Sequence, residues 1–318
     1  MTVLVTGGAG FIGSHLCEHL LSQGHSVVCL DNFDSFYAPE MKRANISGLT
    51  ASGLFTLVEA DIRDDKSLDR TLGEHPIDVV VHLAARAGVR PSLLEPHVYY
   101  DVNVIGTQRI LDAMRRAGVS KLVFGSSSSV YGDNVEAPFK ETAVVDHPIS
   151  PYAASKKAAE LACHTYHHLH GLDVFCLRFF TAYGPRQRPD MGIFQFLRKV
   201  ALGEPITLFG DGSSRRDYTY VGDIVEGVGQ AVSGVKGWEI INLGESHTVT
   251  LLDLIRTIER VVCRKATIRW EPMQPGDVLS TMADIDKARI LLGYLPRMDI
   301  HAGLGMMFDW MRSQGLLK

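Results

Sequence analysis

Near its start the chain reads Val3-Leu4-Val5-Thr6-Gly7-Gly8-Ala9-Gly10-Phe11-Ile12-Gly13-Ser14, a short apolar run passing through spaced glycines into an amphipathic segment. That order predicts a strand, a tight loop and a helix. Gly7 permits a sharp turn, Gly10 lets backbone approach a ligand, and Gly13 allows a helix to pack closely on a strand. The helix start then offers unpaired N–H groups and the positive end of its dipole to a pyrophosphate. The spacing is G-x-x-G-x-x-G, and a glycine-rich turn without a ligand is the plain alternative.

The next stretch narrows the choice. Ser26-Val27-Val28-Cys29-Leu30 reads as a second buried strand, ending in Asp31 at the offset where an acid meets an adenosine ribose. A carboxylate there accepts hydrogen bonds from ribose hydroxyls and repels a 2′-phosphate, which favours NAD over NADP. Asp31 followed by Asn32 also suits a simple turn start. Further strand-like runs at Phe55–Glu59, Val79–Leu83, Lys121–Phe124 and Val174–Leu177 alternate with helical segments. Such alternation predicts the α/β class, a doubly wound (Rossmann) parallel sheet with a smaller, mixed C-terminal substrate lobe. The length of 318 residues, 46% hydrophobic, is enough for a large core.

Helical patterns span about Pro91 to Ala117 and Pro151 to His170, each stopped by a glycine (Gly118, Gly171). Beyond Leu177 proline and glycine become frequent. Helices are expected over Asp223–Val232, Leu251–Val262 and about Gly305–Ser313, with Trp238–Leu243 a late strand returning to the main sheet. The expected division is therefore 1–180 plus 218–245 for the dinucleotide and 181–217 plus 246–318 for the substrate. A net charge of −4 with scattered Lys and Arg gives no reason to expect nucleic acid or membrane as partner. The first strand begins at Thr2, and the odd, scattered cysteines Cys17, Cys29, Cys163, Cys176 and Cys263 read as reduced. Both features suggest a cytoplasmic protein.

The chemistry lies in two later stretches. In Ser150-Pro151-Tyr152-Ala153-Ala154-Ser155-Lys156, Ser150 caps a helix and Pro151 opens it. Tyr152 and Lys156 then share one face. An adjacent ammonium and a nicotinamide cation favour the ionised phenol, turning a poor base into a usable one. An incidental surface pair is the commoner meaning of an isolated Y-x-x-x-K. Gly125-Ser126-Ser127-Ser128-Ser129-Val130-Tyr131-Gly132 follows the Lys121–Phe124 strand, where Ser127 points into the crevice and relays a hydrogen bond to the reacting oxygen. Asp61 suits an adenine amino group, with Asp64 or Asp65 as ordinary helix caps. His164 and His168, with His167 and His170, have metal-like spacing, but no acid completes a HExxH pattern, so no metal is expected.

Taken together these residues resemble the extended short-chain dehydrogenase/reductases, and within them the NAD-dependent nucleotide-sugar epimerases, over essentially the whole chain. The resemblance implies Ser127, Tyr152 and Lys156 as the catalytic set. It implies tightly bound NAD held by Gly7, Gly10, Phe11, Ile12, Gly13, Asp31, Asn32, Asp61, Ile62, Leu83, Ala84, Ala85 and Asn103, together with Tyr152 and Lys156. In the implied reaction Tyr152 takes the 4-hydroxyl proton while hydride leaves C4, and a 4-keto sugar turns over and is reduced on its other face.

Four stretches look like UDP-glucuronate 4-epimerases: Leu30–Tyr37, Ala85–Ser92, Arg178–Pro189 and Met273–Val278. UDP-glucose epimerases typically carry Asn where this chain has Thr181 and Arg where it has Gln274. Decarboxylases and dehydratases usually carry acids where Ser128 and Ser129 stand. The implied substrate contacts are Arg90, Ser127, Ser128, Thr181, Arg188, Thr207, Arg216 and Asp277. Arg90, Thr181 and Arg188 are the candidates for a sugar carboxylate, with helix entry (Arg90) and a solvated loop charge (Arg188) as plain alternatives. Arg216 matches a diphosphate contact, or else pairs with Asp217 or Asp211. The alternatives to a uronate epimerase are a UDP-glucose or N-acetyl-sugar 4-epimerase, a UDP-glucuronate decarboxylase, and an inert NAD-binding sensor. A homodimer through the two long helical segments is also implied.

Overall fold

A computed structural model describes residues 1–133, 136–273 and 278–318. Its centre is a parallel sheet of β1 (Thr2–Thr6), β2 (Ser26–Asp31), β3 (Phe55–Glu59), β4 (Val79–His82), β5 (Lys121–Ser127) and β6 (Asp173–Phe179), with a later strand over Trp238–Leu243. The order across the sheet is β3-β2-β1-β4-β5-β6 followed by that late strand. The chain thus winds outward from β1 to one edge, returns to the other side of β1 at β4, and leaves a crevice over the strand ends where the order reverses.

Alternation within single strands supplies two cores. In β1, Val3 and Val5 enter a cluster shared with Leu16 and Cys17 of α1 (Phe11–Ser22), whereas Leu4 enters one shared with Leu68 and Leu111. Both faces are covered, so the strands read as unbroken apolar runs. The second face carries α3 (Asp65–Glu74), α6 (Gly106–Ala117) and α7 (Pro151–His170), after a short α2 (Pro39–Ile46). Asp64 caps α3 by accepting from Lys66 N.

The helix expected from Pro91 to Ala117 is interrupted. It consists of α4 (Val89–Leu94), α5 (Pro96–Tyr100), a π turn over Asp101–Ile105 and then α6. Pro96 cannot donate to the preceding turn and drives Glu95 to φ −129°, ψ 58°, which ends α4. The other expected helices and strands are present with ends shifted by a few residues, and α7 and Leu251–Val262 match in full.

Past β6 the chain makes β7 (Thr181–Tyr183), α8 (Gly192–Leu202), β8 (Ile206–Phe209), β9 (Arg215–Arg216), β10 (Tyr218–Tyr220) and α9 (Val221–Gly234). The late strand β11 (Trp238–Leu243) pairs with β6 in register, and β12 (Val249–Thr250), α10 (Leu251–Val262), β13 (Ile268–Glu271), α11 (Asp286–Leu292) and α12 (Ile300–Ser313) complete the chain. Short ladders join β7 to β10, β8 to β13 and β9 to β12. Fully buried Asp217 ties this region together: its carboxylate accepts from Thr219 Oγ1 and from the backbone N–H of Glu245, Ser246 and Ala283. These four acceptor bonds oppose, without cancelling, the burial that raises its pKa.

Candidate active site

The glycine loop forms as expected. Gly7 has φ +69°, and a Cβ there would lie 2.7 Å from Ala84 N; a Cβ on Gly13 would lie 2.2 Å from Gly7 O. Only glycine fits either position. Gly10 precedes α1 without a side-chain cap, and the first turn holds no acid, so its N–H groups remain available to an anion. Beneath the loop, buried His82 spans Thr6 Oγ1 (2.7 Å) and Thr107 Oγ1 (3.0 Å), and burial lowers it to about 3, so it is neutral.

A cavity of about 400 Å³ runs from this loop along the strand ends. It is lined by the expected cofactor residues Gly7, Gly10, Phe11, Ile12, Gly13, Asp31, Asn32, Asp61, Ile62, Leu83, Ala84 and Ala85, and by Ser127, Ser128, Tyr152, Lys156, Thr181 and Arg188. Asp31 is buried and accepts from Ala9 N (3.2 Å) and Phe33 N (2.8 Å). Asp61 is held by Arg63 and by Asn32 Nδ2 (2.8 Å), and the Arg63 bonds lower its carboxyl to about 2.

At the other end stand the serine turn and the start of α7. Ser150 caps α7 through Ala153 N (3.1 Å), which sets Tyr152 in the first turn. The edge of the buried Tyr99 ring meets the Tyr152 ring at 6.1 Å. Burial raises the Tyr152 pKa, while the Ser127 hydroxyl and the Arg188 charge oppose the rise. Lys156 turns its ammonium to Gly125 O (2.7 Å), and burial lowers it to about 8. Arg188, which lines the same cavity, is the cation whose charge favours the ionised phenol, a contribution that sequence spacing did not indicate.

Arg188 is fixed by its own loop. Fully buried Gln187 donates to Ala182 O and accepts from Phe194 N, anchoring the turn between β7 and α8. Asp190 then takes Arg188 Nε (3.0 Å) and Nη2 (2.9 Å). Thr181, at the start of β7, lines the same end.

Other expected contacts lie outside the cavity lining. Asn103, in the π turn, brackets the Arg86 backbone and donates to Ser155 Oγ, clamping the loop after β4 to α7. Arg90, on α4, stacks its guanidinium on Phe209 at 4.5 Å. Thr207 pairs with Arg269 in the β8–β13 ladder, and Arg216 with Val249 in the β9–β12 ladder. Asp277, like Gln274, lies outside the described residues. Residues to which the sequence assigned no individual role line the cavity too. Lys42 of α2 comes within 3.5 Å of Asp31, Arg86 bonds Asp34 at 2.6 Å, and the Phe36 ring is in contact with the guanidiniums of both Arg86 (4.2 Å) and Arg188 (5.5 Å).

All five cysteines are free, four of them buried and Cys263 exposed. Among the described residues no group of His, Cys, Asp or Glu has metal-binding geometry. His164 packs its ring edge-on against Trp238 at 4.9 Å, and His167 Nδ1 meets Leu172 O, so both rings serve the packing of α7.

A glycine-loop sheet with Ser, Tyr and Lys converging at its switch point defines a dinucleotide-dependent enzyme of the short-chain dehydrogenase/reductase kind. The sequence profile of the NAD dependent epimerase/dehydratase family matches residues 3–244, and the chain belongs to that family. It is 43% identical to a UDP-glucuronate 4-epimerase of Thermodesulfobacterium geofontis, covering 98% of this chain and 96% of that protein. The crystal structure of the UDP-glucuronic acid 4-epimerase of Bacillus cereus, in complex with UDP-glucuronic acid and NAD, is 37% identical with a TM-score of 0.93, over 99% of this chain and 100% of that one. A UDP-glucose 4-epimerase of Thermotoga maritima, solved with UDP-glucose, is 32% identical with a TM-score of 0.90, over 99% of each chain.

Proposed function

We propose that the protein is an NAD-dependent UDP-glucuronate 4-epimerase, interconverting UDP-glucuronate and UDP-galacturonate. The observation that carries this reading is one cavity with Tyr152 and Ser127 facing Arg188 and Thr181. The cleft fits NAD on the chain's own geometry: no side chain can stand at Gly7 or Gly13, and the α1 N-terminus is uncapped and free of acids in its first turn. Asp31 and Lys42 would hold the adenosine ribose, and Gly10, Phe11 and Ile12 the pyrophosphate. When bound, NAD supplies a hydride acceptor and a positively charged ring.

The residues then divide the work. Tyr152 removes the 4-hydroxyl proton, and Ser127 keeps a hydrogen bond on the developing carbonyl oxygen. Lys156 holds its charge at the strand end without touching the proton in flight. Asp190 occupies the Nε and Nη2 side of Arg188, so its Nη1 side serves the sugar carboxylate, assisted by Thr181 and Ser128. A firmly held carboxylate cannot align for loss as CO2, which separates epimerisation from decarboxylation. We assign 1–180 plus 218–245 to the cofactor, and 181–217 plus 246–318, with Thr207, Arg216 and Asp277, to the nucleotide sugar. The protein works in the cytoplasm as a homodimer, through the exposed apolar side chains Leu94, Ile105 and Leu161 of the α4–α7 region.

An NMR time course with UDP-glucuronate tests the reading. UDP-galacturonate should appear without CO2 release; a pentose product, or turnover of UDP-glucose alone, overturns it. Replacing Arg188 by Ala should lower kcat/KM for UDP-glucuronate by about a hundredfold, the scale of a lost charge-assisted pair, and that for UDP-glucose far less, through the lost support of the Tyr152 phenolate alone.

A further inference from the structure

The helix face that presents Tyr152 and Lys156 continues one turn further to Glu160, and each of the three side chains meets the end of β5. The Tyr152 phenol faces Ser127, Lys156 Nζ donates to Gly125 O at 2.7 Å, and Glu160 Oε1 accepts from Ser126 Oγ at 2.6 Å. Three consecutive strand residues are therefore read by three successive turns of α7. Glu160 is held in turn by Arg178, which lies directly opposite Ser126 in the β5–β6 register. Arg178 Nε and Nη2 donate to the two carboxylate oxygens, both at 2.9 Å, and both side chains are 1% exposed. The Arg178 guanidinium also stacks on Tyr131 at 4.8 Å, at the end of the serine turn.

A fully buried ion pair is a poor stabiliser, since well-packed apolar residues serve as well or better. Its presence here, joining α7, which carries Tyr152 and Lys156, to β6, the partner of the strand that ends in Ser127, points to the reaction instead. We propose that Glu160 is a positioning residue for the epimerisation described above: fixed by Arg178, it holds the Ser126–Ser127 strand end in register with Tyr152 and keeps Lys156 charged.

The surroundings of Lys156 support the second role. On α7 it is faced by Tyr152, Glu160 and Cys163; β4 brings neutral His82, β5 the Phe124 ring at 5.0 Å and the Gly125 carbonyl, and β6 Cys176, with Arg178 beyond Glu160. Burial lowers Lys156 to about 8 against the opposing pull of Cys163, Glu160 and Cys176. Glu160 is the carboxylate among them. Removing its charge takes away the carboxylate one turn from Lys156 and leaves the Arg178 charge behind it uncompensated, and both changes favour the neutral amine.

The test uses purified holoenzyme carrying Glu160→Gln and Glu160→Asp, assayed from pH 6 to 10 on UDP-glucuronate and UDP-glucose in parallel, with bound NAD quantified in each preparation. Glu160→Gln should lower kcat by tenfold or more with little change in KM, and move the alkaline limb of the kcat profile down by about one pH unit. Glu160→Asp keeps the charge and shortens the reach, so it should retain the limb and still lose kcat. A Gln variant with an unmoved limb, or an Asp variant with wild-type kcat, overturns the proposal. Because the Asp variant keeps the negative charge beside Arg178, it decides the matter even if the Gln variant does not fold. Wild-type enzyme active on UDP-glucose alone would instead overturn the substrate reading, and the variants are then judged on that sugar.

Discussion

Tyr152 sits in a site whose burial opposes its ionisation, with Ser127 and Arg188 acting the other way. Its role is separable from cofactor binding. Tyr152→Phe should lower turnover by about a thousandfold, in the range for a lost general base, while the protein still purifies with NAD; undiminished turnover would exclude it as the base. His82 belongs to the same scale. Its folded value of about 3 lies below the ordinary 6.5, so the unfolded chain takes up the proton first as pH falls. Its contribution to stability is complete above about pH 6.5 and is lost toward pH 3, at about 1.4 kcal/mol per unit. Unfolding midpoints in urea should fall across that window in the wild type and fall less steeply in a His82→Gln variant. The shared helix face of Tyr152 and Lys156 was legible from their spacing after Ser150-Pro151, and its link to chemistry only together with the serine turn at Ser127. Arg188 as the cation favouring the ionised phenol was not legible, because sequence spacing cannot say that Lys156 spends its charge on a carbonyl.

At the scale of elements, the segment after β2 crosses toward the loop after β4. Asp34 bonds Arg86, and the Phe36 ring meets the guanidiniums of both Arg86 and Arg188. These contacts bridge the two sides of the switch point, where the dinucleotide lies in this fold. Asp34→Ala should accelerate NAD release by about tenfold, the effect of a partly exposed ion pair and its stacking partner, without abolishing turnover when NAD is added. Dialysis followed by absorbance at 260 nm measures the retained cofactor. The strands were readable because parallel strands buried on both faces are continuous apolar runs. The break at Pro96 lies inside a run whose periodicity hides it. Lys42 reaches the site from α2, which carries no motif of its own, and the pairing of Glu160 with Arg178 follows from where α7 lies over the β5–β6 register.

For the molecule as a whole, one apolar cluster runs from Val3 in the first strand to Met311 in the last helix. The two assigned regions therefore share packing although their ligands differ. On the outside, Leu161 is 56% and Leu169 64% exposed along α7. If that helix joins two copies, Leu161→Glu should give a monomer in sedimentation velocity while the core stays folded; an unchanged dimer would place the interface elsewhere.

The return of the chain at β11 has a consequence for synthesis. β6 pairs with β5 on one side and with β11 on the other, and residues 180–237 must leave the ribosome between the two partners. Through that interval the nascent sheet presents a bare β6 edge, a template for pairing with another chain. Wherever translation pauses in that stretch, the growing polypeptide is most exposed to aggregation and most in need of a chaperone.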